Sequence, residues 1–236
     1  MSHLYHEAVE SKHLALAAVI RAQREGYYDH SDFYRGFGVI ERNTVKDAEC
    51  FYWVHDIAEA VRGSSETLPN DTTISPDALP CRCGWFWFGE KNLDGIGREP
   101  ACALAWSIFQ EFLTVIVYHT VNGEPQAQDS AHYRIGWPIN NQATITREGK
   151  QEHNDPEEFV ARAMLKFILA AGLWVRQRVL TISKEPLQRH ARKRLARLGI
   201  EAPDVSVVML RAKQSEHGSG DGTAGNWTCQ WIMREH

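Results

Sequence analysis

Residues 101–121 read ACALAWSIFQEFLTVIVYHTV. Two β-like runs lie in this stretch, Ala101–Phe109 and Phe112–Val121, the second carrying Leu113-Thr114-Val115-Ile116-Val117-Tyr118. Branched and aromatic side chains fit a pleated surface, and apolarity that does not alternate with polar residues points to burial on both faces. Gln110-Glu111 between the runs is a candidate hairpin turn, although it lacks Gly or Asn. Asn122-Gly123 is the stronger turn signal, since both residues tolerate a left-handed backbone. His132–Trp137 follows as the next strand, and the aromatic run Gly84-Trp85-Phe86-Trp87-Phe88-Gly89 precedes as an earlier one.

Outside these strands the period changes to that of helices. Leu4–Glu25 has apolar positions at helical spacing around an Ala-rich middle, and Gly26 stops it. Tyr27–Gly38 is aromatic and turn-rich. Thr44–Arg62 reads as a second helix, with Thr44 and Asp47 at its start and Gly63 at its close, and residues 63–80 as a loop. Asp155 is the expected cap of a third helix, with Pro156 in the first position and Glu157 and Glu158 where the helix dipole favours acid. Its wide apolar face, from Phe159 to Val175, predicts the central helix of the fold. A fourth helix is expected from Ser183 or Lys184 to Leu198, ended by Gly199. Val205–Leu210 is strand-like, residues 215–226 are Gly/Ser-rich and expected to be mobile, and Trp227–Met233 is a final strand. The result is one α+β domain over residues 1–236: about four helices on an antiparallel or mixed sheet of about six strands.

Composition excludes several classes. With eight Trp, nine Phe and seven Tyr in 236 residues, the chain has ample apolar surface to bury, so a disordered chain is excluded. Met1–Glu7 has no basic segment leading into an apolar core, so no signal peptide is expected. The apolar stretch Ala163–Val175 is broken by Lys166 and falls short of the ~20 residues that cross a bilayer. A cytoplasmic protein with no membrane partner is therefore expected. Five cysteines, irregularly spaced, do not form a disulfide framework. Cys81 and Cys83 are one residue apart, tighter than zinc-knuckle spacing, and read as small buried hydrophobes. No motif calls for a metal or a cofactor.

The formal charge of −4 hides an asymmetry. Residues 1–161 hold 13 Lys/Arg and 24 Asp/Glu, net −11, whereas residues 162–213 hold 12 and 3, net +9. The acidic part either meets the basic part, or each meets an outside partner: a protein on the acidic N-terminal region, or a polyanion on the basic segment. The fourth helix concentrates the basic charge. Leu187, Ala191, Leu195 and Leu198 form one apolar stripe, and Arg189, Arg192, Lys193, Arg194 and Arg197 lie away from it or on its flanks. Cations at helical spacing can follow a phosphate backbone. The competing reading is a solvated face tied to the acidic half.

Among the histidines, His119 closes one strand and His132 opens the next, two residues before Arg134. If those strands pair around a loop at 122–130, the three converge on one sheet end. Two imidazoles and a guanidinium there would suit acid–base work on a phosphodiester. Backbone-capped strand-end histidines are the simpler alternative. Aromatics 85–88 could stack bases, but core packing fits better, since no charge is interleaved.

Two segments carry a resemblance. Leu79-Pro80-Cys81-Arg82-Cys83-Gly84-Trp85-Phe86-Trp87-Phe88 resembles an L-P-x-x-x-G-aromatic stretch, and Val205–Arg211 with Trp227–His236 resembles a V-x-x-L-R strand leading to a closing strand. Both are similar to uncharacterised accessory proteins of phages and mobile elements in high-GC bacteria. That resemblance covers about a third of the chain and carries over no catalytic residue. This chain ends at Arg234-Glu235-His236, where those proteins continue through basic and aromatic residues, as after a truncated reading frame. The expected function is an accessory or regulatory protein of a mobile element that contacts nucleic acid through the basic helix. The alternatives are a small nuclease-type phosphodiesterase using His119, His132 and Arg134, or an inhibitor-like protein–protein module.

Overall fold

The structure, a computed structural model, describes residues 2–29, 32–89, 91–141, 156–177, 180–187, 189–197 and 204–210. Its elements are α1 (Ser2–Arg24), α2 (Asp32–Asp47), β1 (Glu49–Trp53), α3 (His55–Glu66), β2 (Cys83–Trp87), β3 (Ala103–Phe109), β4 (Phe112–Val121), β5 (Glu124–Arg134), α4 (Pro156–Val175), β6 (Leu180–Glu185), α5 (Arg189–Arg197) and β7 (Val205–Leu210). Seven strands form one mixed sheet in the order β5-β4-β3-β2-β1-β7-β6. β1 runs parallel to β2 and β7, and every other neighbouring pair is antiparallel. The fold class is α+β, as the sequence predicts, with one strand and one helix more among the described residues.

The strands β2, β3 and β4 form because their runs are apolar on both sides, and the sheet buries both. One face packs Phe51, Trp53, Phe86 and Trp106 with Val115 and Val117 against α3 and α4, including Met164, Phe167 and Ile168. The other packs Cys50, Tyr52, Trp85, Ile116 and Tyr118 against Ala8, Val9 and Ala15 of α1 and Val45 of α2. Gly84 lets the first core close. A Cβ there would stand 2.1 Å from the indole of Trp106, whose Nε1 donates to the Cys81 carbonyl at 2.9 Å.

The turn chemistry performs as expected at three places. Gly26, at φ +74°, ends α1 with its N–H on Gln23 and the Tyr27 N–H on Ala22, a Schellman closure. Asn122 and Gly123, at φ 51° and 80°, join β4 directly to β5. Gln110-Glu111 turns β3 into β4, with Gln110 at φ 53° in the left-handed region.

Five expectations are corrected. The helix over 44–62 does not exist as one element: Glu49–Trp53 is β1, near the middle of the sheet, with α2 before it and α3 after. A short apolar run buried on both faces has no period to distinguish it from helix, and strand pairing on both edges decides the matter. Tyr27–Gly38 is not all turn, since α2 begins at Asp32. The segment after Asn122-Gly123 is not a loop but β5, an edge strand whose polar residues mask its alternation. That strand ends at Arg134 rather than Trp137. Finally, Ser183 and Lys184 belong to β6, paired with β7, and the basic helix starts at Arg189. The expected cap Asp155, the segment 215–226 and the strand 227–233 lie outside the described residues.

Candidate functional site

Helix α5 connects β6 to β7 at the end of the sheet where Glu185 and Val205 pair. It reads RHARKRLAR, with five Lys/Arg in nine residues and no acid. Leu187, just before it, is buried against the cluster that holds Val205 and Val207. Arg189, Arg192, Lys193 and Arg197 are exposed. Arg189, Lys193 and Arg197 recur every four residues, one stripe of roughly 12 Å at 1.5 Å per residue. Among the described residues none of these four forms an ion pair with a carboxylate. The side chain of Arg194 lies outside those described.

The histidine–arginine constellation is not assembled. Register places His132 opposite Thr114, Arg134 opposite Phe112, and His119 opposite Gln126. His119 is five residues along β4 from Thr114, about 17 Å at ~3.4 Å per residue, and on the alternate face. Convergence needed a loop at 122–130, and β5 occupies that segment instead. His132 Nδ1 lies 2.8 Å from Thr114 Oγ1, its ring is edge-on to Phe37, and burial holds its pKa below the usual value. Arg134 donates through Nε and Nη2 to Glu111 Oε2, at 3.2 and 3.0 Å, and stacks over Trp137 at 4.9 Å.

Among the described residues, the four thiols have no reactive environment. Burial pushes Cys50, Cys81 and Cys83 up to about 12 and Cys102 up to about 11, so all four are protonated near neutral pH. Cys83 Sγ donates to the Thr44 carbonyl at 3.2 Å and Cys81 Sγ to the Cys83 carbonyl at 3.2 Å. Trp85, Phe86 and Phe88 are fully buried core residues, and Trp87 is half-buried.

Sequence reasoning missed a cavity of about 280 Å³ between α1, α2 and the β4–β5 hairpin. Glu41 lies in its wall, 1% exposed. Its carboxylate accepts from the Tyr28 hydroxyl at 2.7 Å and the Tyr118 hydroxyl at 3.3 Å. Burial, and then the Glu41 charge, raise the Tyr118 phenol well above its ordinary value, so it stays a donor. Phe37, Glu41, Thr44, Val45 and Ala48 follow one another on the buried stripe of α2 and just past its end. A carboxylate on that stripe was the available signal, and it was hidden because the first turns of α2 read as a loop.

No family model matches the chain, and neither a curated protein nor a solved structure matches it. Fold and site together define an α+β protein of one mixed seven-stranded sheet, with helices on both faces and a solvent-exposed basic helix at one end. No described helix is long and apolar enough to cross a membrane.

Proposed function

We propose that this protein is an accessory protein of a mobile element that contacts nucleic acid through α5. One observation carries this: four cations on one short helix face solvent without an internal carboxylate partner among the described residues. A basic face built to tie down the acidic half of the chain would show such pairs. Unpaired guanidinium and ammonium groups at helical spacing instead suit phosphates, each contact releasing condensed counterions. The mobile-element part rests on the resemblance at Leu79–Phe88 and Val205–Arg211.

The test is retention on immobilised DNA and RNA at low salt. Arg192→Glu with Lys193→Glu removes two cations and adds two anions on the exposed side. Retention of the double variant is expected to vanish while its thermal unfolding stays within the wild-type range. Retention equal to wild type would overturn the proposal.

A further inference from the structure

The turn between β3 and β4 carries aromatic side chains that the core does not take up. Phe109 and Phe112 flank Gln110-Glu111 and pair in register, and Phe112 also pairs with Arg134 of β5. Side chains alternate along a strand, so these three share the face that carries Ser107, Thr114 and His132. Helix α2 crosses that face one row further in. Its Phe37 meets the His132 ring, its Thr44 Oγ1 lies 2.6 Å from Ser107 Oγ, and the Thr44 carbonyl accepts from Cys83. In the row nearer the turn, Phe109 is 64% exposed and Phe112 37%, and Trp137, under the Arg134 guanidinium, is 41% exposed.

Cations lie at the same end of the sheet. Strand register sets the starts of β1, β2 and β7 level with the end of β3 and the start of β4. Arg82 is exposed just before β2, with its carbonyl on the Ile108 N–H. Arg42 and Lys46 are exposed near the end of α2, which leads into β1. Among the described residues none of these three forms an ion pair with a carboxylate. Helix α5 adds its four exposed cations before β7, the third neighbour of β3, about 14 Å away at ~4.8 Å per strand. The acid in the turn, Glu111, is held by Arg134. Asp47 and Glu49 are exposed at the entry to β1, between the aromatic side chains and α5. A stiff duplex laid across this end would carry its evenly spaced phosphates over both acids. A single strand bends at each nucleotide, and its unpaired bases stack on exposed aromatic rings while cations follow its backbone.

We propose that this end of the sheet binds single-stranded nucleic acid in preference to duplex, with bases on Phe109, Phe112 and Trp137 and the backbone along Arg82, Arg42 and Lys46 toward α5. The proposal rests on the reading of α5 as a phosphate-binding helix and adds the form of nucleic acid that the helix serves. The competing role for the aromatic side chains is contact with another protein, which would be indifferent to bases.

The experiment is fluorescence anisotropy on the full chain at moderate salt, where phosphate attraction is partly screened. Three labelled ligands of about 12 nucleotides, within the ~4–16 of single-strand sites, are compared: oligothymidylate, a duplex, and an abasic strand that keeps the phosphates and lacks the bases. The protein is expected to bind oligothymidylate about tenfold tighter than the abasic strand, as the stacking of one base allows, and tighter than the duplex. Phe109→Ala with Phe112→Ala should bring oligothymidylate to the level of the abasic strand and leave the other two ligands unchanged. Trp137→Ala, or Phe109→Ala alone, should act in the same direction and keeps the proposal testable if the double variant does not fold. Arg192→Glu with Lys193→Glu should weaken all three ligands. Equal binding of oligothymidylate and the abasic strand, tighter binding of the duplex, or aromatic variants that hold oligothymidylate as wild type does would each overturn this proposal and leave α5 a phosphate site. Binding to none of the three would overturn both.

Discussion

Burial decides the protonation of His132. Its ring lies between Thr114 and Phe37, and desolvation disfavours the imidazolium, so its folded-state pKa is below 6.5. Between the folded value and 6.5 the unfolded chain binds more protons at this residue, so stability rises with pH across that window and falls as pH drops below 6.5. Thermal unfolding between neutral and mildly acidic pH is expected to show this loss, and His132→Gln to flatten it. An unchanged slope in the variant would assign the acid sensitivity to other groups. Lys12 shows the same physics at a cation: it is 6% exposed, donates to the Ala48 carbonyl at 2.5 Å, and burial lowers its pKa. Neither environment is visible in sequence. His132 and Thr114 are 18 residues apart, and Lys12 and Ala48 are 36 apart.

At the scale of elements, two glycines in helices have opposite meanings. Gly172 of α4 lies against the 3₁₀ turn Pro76–Ala78, and a Cβ there would stand 1.7 Å from the Ala78 carbonyl oxygen. Gly63 of α3 is exposed with nothing within 4 Å of such a Cβ. Gly172→Ala is expected to lower the free energy of unfolding by about 3 kcal/mol, because backbone must shift to relieve the overlap. Gly63→Ala is expected to raise it by roughly 0.5–1 kcal/mol through helix propensity alone. Urea titration of both variants checks the pair, and equal effects would contradict the packing of α4. The legibility of elements follows the same division. Phe112–Val121 and the turns at Gly26 and Asn122-Gly123 were readable because their signals act within a few residues. β1 was not, because Glu49–Trp53 resembles the helices on either side of it and becomes a strand only by pairing with residues 84–87 and 205–208.

At the scale of the whole molecule, the charge asymmetry of the sequence has a counterpart among the described residues. The chain carries −4 overall, yet among the described residues no acid pairs with Arg189, Arg192, Lys193 or Arg197 of α5. If those four each contact a phosphate, log K against log salt should have a slope of about −3.6 on duplex DNA, at roughly 0.9 per contact. Filter binding over a salt series measures it, and a flat response would exclude phosphate contact as the source of affinity. The basic helix lies at the β6–β7 end of the sheet, away from the cavity between α1, α2 and the β4–β5 hairpin.

The amino-acid sequence by itself determined the class of fold, the apolar strands of the sheet, the tight turns and the basic amphipathic helix, since each depends on side chains close together in the chain. Only the tertiary structure decided the place of β1, the register that parts His119 from His132, and the meeting of Tyr28, Glu41 and Tyr118. Those depend on pairings between residues far apart, up to Cys50 with Val205. A single residue's shift in register reverses which face each side chain takes, and no local propensity records that choice.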